Sequence, residues 1–193
     1  HFDHLDSQAM EKIPKDMPIF VQDETDAETL RTKDFTDIRI LKYAGEEYKG
    51  VLLIKTDCLH GQPGNIGLLY EKMNLRSSAC GVVMRHPQEQ KTLYLAGDTI
   101  WCDFVKGAID SYSPDVIVVN AAEATILGFG RIIMGLEDVQ AVLDYAPDAV
   151  IIASHMDNVG HEKLWRSDLR QYIQTNHLQS RLLVPEDGEI CSF

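Results

Sequence analysis

The chain has no CxxC pair: its four cysteines, Cys58, Cys80, Cys102 and Cys191, are scattered over 193 residues. That scatter argues against a disulfide framework and against a thiolate zinc site. It suits buried or free thiols in a reducing compartment. No apolar run approaches the roughly 18 to 20 residues that a membrane-spanning helix needs. The opening residues lack the charged, apolar and small-residue succession of a secretory signal, so the cytoplasm is the expected location. Positive charge is scarce too, with 18 Lys and Arg against 30 Asp and Glu and a net charge of −12. A sequence-independent grip on nucleic acid depends on Lys and Arg neutralising phosphates. Neither nucleic acid nor a membrane is therefore an expected partner. An initiator Met is missing, and the chain opens on a histidine inside what reads as a motif. The numbered sequence is expected to be the C-terminal portion of a longer chain.

What is present is ordinary globular material. With 45% hydrophobic and 25% charged residues, residues 1–193 read as a single domain long enough to bury a sizeable core. The pattern alternates strands with helices. Residues 37–43 and 51–56 are rich in β-branched and aliphatic side chains and read as strands. The runs 80–85 and 92–97 flank a polar stretch, which is a hairpin signal. Short apolar runs at 116–121, 149–154 and 181–185 suit strands buried on both faces. Residues 104–112, 136–146 and 161–176 read as helices, the last with Leu164, Trp165, Leu169, Tyr172 and Ile173 in an apolar stripe. The acidic stretch 23–28 reads as the start of a solvated helix, its acids near the positive end of the dipole. The expected class is therefore α/β, a layered fold.

Six residues carry chemistry. His1, Asp3 and His4 stand together in HFDHLD, followed by His60 in CLHG, Asp98 in AGDT and His155 in ASHMD. Imidazole nitrogens and carboxylate oxygens at such spacing suit a pair of divalent metals, which polarise a substrate oxygen and make bound water nucleophilic. His60, Asp98 and His155 each follow or end a predicted strand. In a layered α/β fold, the carboxyl ends of strands converge on the rim where sites form. A metallohydrolase is the reading these residues favour. Imidazole and carboxylate donors together suit zinc or manganese, with iron also compatible.

The ordered set resembles the metallo-β-lactamase superfamily, whose signature is His-x-His-x-Asp-His, then a lone His, a bridging Asp and a final His. HFDH matches the end of that signature, and His60, Asp98 and His155 follow in order across the whole chain. GDTIW and the spacing of SHMDNVGH are similar to the ascorbate-6-phosphate lactonase-like branch. The resemblance implies an αββα sandwich, lacking its N-terminal strands in the given sequence. It also implies a first signature His two positions before His1. By the same resemblance His1 and His60 would serve one metal together with that His. Asp3, His4 and His155 would serve the second, and Asp98 would bridge both, one oxygen on each. A shared hydroxide would then be the nucleophile, with Asp3 as the catalytic residue that orients it and takes up or relays a proton. Asp98 stands where some β-lactamases of the superfamily carry Cys, which argues against antibiotic hydrolysis.

Other residues have plainer readings. His161 is a candidate substrate contact to a phosphate or carboxylate, the alternative being a solvent-exposed first-turn residue. His86 in the hairpin turn and His177 at a helix end read as structural. Trp101 reads as core packing, with a pocket wall as the alternative, and Asn120 as either rim lining or a loop cap. Gly128, Gly130 and Gly135 lack the spacing of a dinucleotide fingerprint and read as letting a loop pass close to the site. The expected activity is hydrolysis of a small ester, lactone or phosphorylated metabolite. The small-molecule substrate is the one expected partner, and a homo-oligomer is compatible with the sequence. The alternative is a non-catalytic metal-binding or regulatory module of the same fold.

Overall fold

In the computed structural model the described residues are 4–61, 79–157, 160 and 162–192. His1, Asp3 and His161 lie outside them. The strands are β1 (Ile19–Val21), β2 (Ile38–Ile40), β3 (Glu46–Tyr48), β4 (Val51–Asp57), β5 (Cys80–Arg85), β6 (Leu93–Leu95), β7 (Val116–Asn120), β8 (Thr125–Ile126), β9 (Gly130–Arg131), β10 (Val150–Ser154) and β11 (Leu182–Leu183). The helices are α1 (Ser7–Lys12), α2 (Glu24–Arg31), α3 (Asp103–Tyr112), α4 (Leu136–Tyr145) and α5 (Arg166–Asn176).

The alternating apolar runs find one another in a seven-stranded mixed sheet of order β11-β10-β7-β6-β5-β4-β3. From β3 to β6 successive strands pair antiparallel, and the hairpin expected at 80–97 is the β5–β6 pair. From β6 through β7 and β10 to β11 the pairing is parallel. Parallel neighbours need a crossover, and α3, α4 and α5 supply the three. Their inward faces, with Val105 and Ile109 on α3, Val142 and Leu143 on α4, and Leu169 and Ile173 on α5, join the sheet residues Val83, Tyr94, Ile117 and Ile151 in one core. The architecture is the expected α/β one.

A smaller unit lies before that sheet. Strands β1 and β2 pair in parallel around α2, whose Ala27 and Leu30 pack with Val21 and Phe35. The acidic stretch does open a helix: Asp23 is its N-cap, and its carboxylate accepts from the Thr25 and Asp26 backbone N–H groups at 2.9 and 3.2 Å.

Strand direction fixes the site. Two reversals separate β4 from β6, so β4 runs the same way as the parallel strands. The carboxyl ends of β4, β6, β7 and β10 therefore open on a single edge of the sheet, which delivers residues 58–60, 97–98, 120 and 155 to one rim.

One helix starts later than its sequence pattern suggests. The 161–176 reading shrinks to Arg166–Asn176. The backbone N–H groups of Lys163 and Leu164 both donate to the Ala122 carbonyl, at 3.0 and 3.1 Å, which ties this segment to the loop after β7. The stripe contracts with it, for Leu164 is buried outside the helix while Trp165, at the N-cap, is 45% exposed. The run 37–43 likewise holds only a three-residue strand, because the Lys42 carbonyl turns to accept from Gly45 and Lys55.

Candidate metal centre

The rim begins with a backbone turn that only one residue type fits. Gly97 follows β6 at φ +72°, and a Cβ there would stand 2.5 Å from the Cys80 carbonyl oxygen. This left-handed turn at the strand end directs Asp98 into the rim. The loop carrying His60 is locked to the same segment. The Leu59 N–H donates to Thr99 Oγ1 at 3.0 Å, the Ile100 N–H donates to the Leu59 carbonyl at 2.9 Å, and the Thr99 hydroxyl donates to the Ile100 carbonyl at 2.9 Å. The Cys58 thiol donates to the Asp98 carbonyl at 3.4 Å. Burial pushes that thiol upward.

Beyond β10 the chain takes another unusual turn. His155 and Asp157 both adopt left-handed backbone, at φ 58° and 67°, a conformation costing roughly 1 to 2 kcal/mol for an L-residue. Neighbouring contacts hold it. The Ala121 N–H donates to the Ser154 carbonyl at 3.0 Å on the strand side. On the far side the Asp157 carboxylate accepts from the Arg166 backbone N–H at 3.1 Å and pairs with its guanidinium. Arg166 also pairs with Asp187, so the first turn of α5 connects this loop to the C-terminal segment. Left-handed residues outside turns made by Gly or Asn concentrate at functional sites, where the surrounding structure over-determines them.

The result is a convergence of donors. Ligand-capable atoms of His4, Asp98 and His155 all lie within 4.8 Å of one another. His4 Nε2 stands 2.8 Å from Asp98 Oδ2, and the His4 and His155 rings, tilted by 50°, lie 4.9 Å apart between centroids. His60 Nδ1 reaches to 4.0 Å from the same Asp98 oxygen. Asp98 and His60 are buried, at 7% and 5% exposure, whereas His4 lies on the open side. Two donors each about 2.1 Å from a tetrahedral metal stand roughly 3.4 Å apart. The 2.8 and 4.0 Å separations bracket that value, so small side-chain shifts let these groups share a cation. A buried carboxylate ringed by three imidazoles is the donor set a divalent transition metal takes. The residues fit the group the sequence implied.

Of the six candidate ligands, His4, His60, Asp98 and His155 thus meet at one place, though 94 positions separate His4 from Asp98. His1 and Asp3, and the candidate substrate contact His161, fall outside the described residues. Asn120, read from sequence as rim lining or a loop cap, donates from Nδ2 to Asp98 Oδ1 at 2.7 Å. Thr99 was not singled out at all. The only signal for it was its place next to a candidate ligand in a strand-end loop. Trp101 is partly buried, packing edge-on against Tyr145 at 5.4 Å and against the main core. His86 sits in the β5–β6 turn, its Nδ1 accepting from the Gln88 N–H, and His177 is the left-handed C-cap of α5. Gly128 and Gly130 shape the β8–β9 turn, where the Phe129 N–H donates to the Ile126 carbonyl. A Cβ on either would meet nothing, so their reason is backbone conformation rather than close passage of a loop. All four cysteines are free.

The chain also has relatives among known proteins. No profile of a known protein family matches it. It is 38% identical over 193 residues to the UPF0173 protein YddR of Bacillus subtilis, covering 100% of this chain and 73% of that protein. The solved structure of an isothiocyanate hydrolase from Delia radicum gut bacteria superposes over 100% of this chain and 73% of its own, with TM-score 0.91 and 36% identity. A possible metal-dependent hydrolase from Veillonella parvula covers the same shares at TM-score 0.91 and 39% identity. The metallo-β-lactamase fold protein YhfI of Bacillus subtilis matches 99% of this chain and 72% of its own, at TM-score 0.61 and 13% identity. That last likeness is one of fold alone.

Proposed function

The chain belongs to the UPF0173 family within the metallo-β-lactamase superfamily of metal-dependent hydrolases, and from that premise we propose that it adds water to a small electrophilic metabolite at a dinuclear centre. The observation that carries the proposal is the approach of His4, Asp98 and His155 to within 4.8 Å, with His60 directed at the same carboxylate. His1 and His60 would hold one metal. Asp3, His4 and His155 would hold the second, and Asp98 would join the two. Zinc or manganese fits this mixed nitrogen and oxygen set best, with iron compatible. When bound, such a pair supplies Lewis acidity and lowers the pKa of a bound water from about 16 toward 7.

The residues do the rest. The Asp98 carboxylate and the imidazoles fix the charge and direction of the rim, and their burial on the His60 side keeps bulk water from that flank. Asp3 orients the attacking water and accepts its proton. His161, when cationic or as a hydrogen-bond donor, contacts an anionic group on the substrate. The electrophile is the carbonyl carbon of an ester or lactone, or the phosphorus of a phosphorylated metabolite. The 36% identical isothiocyanate hydrolase adds a third class, because the central carbon of an isothiocyanate accepts water in the same way. The excess of acidic residues, 30 against 18 basic, favours a small molecule over nucleic acid. Four free thiols favour a reducing compartment such as the cytoplasm.

A hydrolysis screen over these classes tests the reading, run with the metal-loaded protein and an Asp98→Ala variant. The expected result is turnover of one class by the wild type and a loss of at least 100-fold in the variant, of the order seen when a supporting electrostatic group is removed. An Asp98→Ala protein as fast as wild type contradicts the reading.

A further inference from the structure

We propose that Trp165 is a specificity-determining residue, an apolar wall beside the rim that selects substrates carrying an aryl or alkyl group next to the electrophile. This rests on the dinuclear hydrolase reading above and narrows its substrate class. The place of Trp165 is fixed by its chain neighbours. On one side the Leu164 N–H donates at 3.1 Å to the carbonyl of Ala122, two residues past the end of β7. On the other the Arg166 N–H donates at 3.1 Å to the carboxylate of Asp157, two residues past His155. The Ala121 N–H in turn donates to the Ser154 carbonyl at 3.0 Å, which joins the two loops. Trp165 is thereby pinned between the loop after β7 and the loop that carries His155.

An indole is a poor structural choice at that place. Trp165 is the N-cap of α5, a position where Ser, Thr, Asp or Asn normally accepts a first-turn N–H through its side-chain oxygen. The indole has one donor and no acceptor, and it makes no capping bond. Other groups do the capping in its stead. Asp157 takes the Arg166 N–H, and the Asp168 carboxylate takes the N–H of Trp165 itself at 3.2 Å.

Nor does the ring fill the core. Burial alternates along the segment, with Glu162 and Leu164 buried and Lys163 and Trp165 exposed, and Leu169 takes the inward face of α5. Trp165 keeps 45% of its surface in solvent. A large apolar side chain left in water, where a small polar one would cap the helix, breaks a local rule, and such breaks gather at functional positions. The Arg166 guanidinium beside it is already matched by two carboxylates, Asp157 and Asp187, so its charge does not compete for the substrate. What the indole offers is a rigid apolar face, suited to an aromatic ring in offset or edge-on contact or to an alkyl chain.

The test compares two probes with the same metal-binding head, acetohydroxamate and phenylacetohydroxamate, titrated by calorimetry into the full encoded chain loaded with zinc. Binding is read rather than turnover, so the identity of the electrophile does not enter. The wild type is expected to bind the phenyl probe about 10-fold more tightly, the gain of one buried aromatic contact. In Trp165→Ser that advantage is expected to shrink to about 3-fold or less, with acetohydroxamate affected less because it has no group to reach the ring. The thermal midpoint of Trp165→Ser is expected to stay level or rise, since serine can cap the helix. Trp165→Phe is expected to recover part of the preference. An undiminished phenyl preference in Trp165→Ser overturns the inference: a lower midpoint beside it marks Trp165 as structural, and a changed subunit number by light scattering marks it as a contact between copies. A wild type that takes up metal and shows no phenyl preference overturns the inference alone, and one that takes up no metal overturns the dinuclear reading as well. If Trp165→Ser does not fold, a crystal structure of the zinc-loaded wild type with phenylacetohydroxamate decides. The phenyl ring packed on the indole supports the inference, and the ring placed elsewhere overturns it.

Discussion

At the scale of single residues the site depends on backbone conformations that few side chains tolerate. Gly97 is the sharpest case, since a Cβ would fall 2.5 Å from a backbone carbonyl that cannot swing away. Gly97→Ala is expected to cost roughly 1 to 3 kcal/mol through strain at positive φ, lowering the thermal midpoint by several degrees, and to weaken metal binding by displacing Asp98. A variant with wild-type melting and metal affinity would contradict that placement. At the end of β4, Tyr43 gives a separate check on local geometry. Its hydroxyl donates to Asp57 Oδ1 at 2.5 Å, and this bond, ahead of partial burial, pushes the phenol up to about 12 from an ordinary value of 10.0. The folded value lies above the unfolded one, so the contact stabilises the fold below pH 10 and its contribution disappears as pH rises through about 12. Absorbance titration of the phenolates should show one tyrosine returning toward 10 in Asp57→Ala. No movement of any tyrosine in that variant contradicts the contact.

At the scale of elements, the clamp between the loop after β4 and the loop after β6 sets the distance from His60 to Asp98. Thr99 is its buried pin, accepting from Leu59 and donating to Ile100. Thr99→Val keeps the shape and deletes both bonds, leaving a buried N–H and a carbonyl short of partners. The expected cost is roughly 1 to 3 kcal/mol in urea unfolding, together with weaker metal binding as the two loops part. Full stability with full affinity would show that the clamp does not set the site. The same scale explains what the sequence revealed. The strands at 51–57, 80–85, 116–120 and 150–154 were legible because runs of β-branched residues between turn residues have few other solutions. Once those strands are placed, the candidate ligands at their ends are placed too. The late start of α5 was not legible, because it depends on Lys163 and Leu164 donating to Ala122, some 40 residues earlier. The left-handed turn at His155 was hidden for a related reason, since contacts to Arg166 and Ala121 hold a conformation that histidine does not itself prefer. Asn120 stayed ambiguous because which side chain it would reach is decided by packing across strands, not by its own segment.

At the scale of the whole molecule, the fold is a device for bringing distant positions to one edge. A mixed sheet with parallel strands on one side points four strand ends in a single direction, and the N-terminal His4 closes over them. Among the described residues no helix is long and apolar enough to cross a membrane, and the net charge of −12 sets a repulsive background for polyanions, which a pair of divalent cations would reverse only in its own cleft. The central claim is therefore that the converging histidines and Asp98 hold metal. Elemental mass spectrometry on the full encoded chain, purified without chelator, tests it most directly. The account predicts close to two metal ions per chain, falling by at least one in Asp98→Ala. A wild-type protein that carries no metal, even after reconstitution with zinc or manganese, would contradict it.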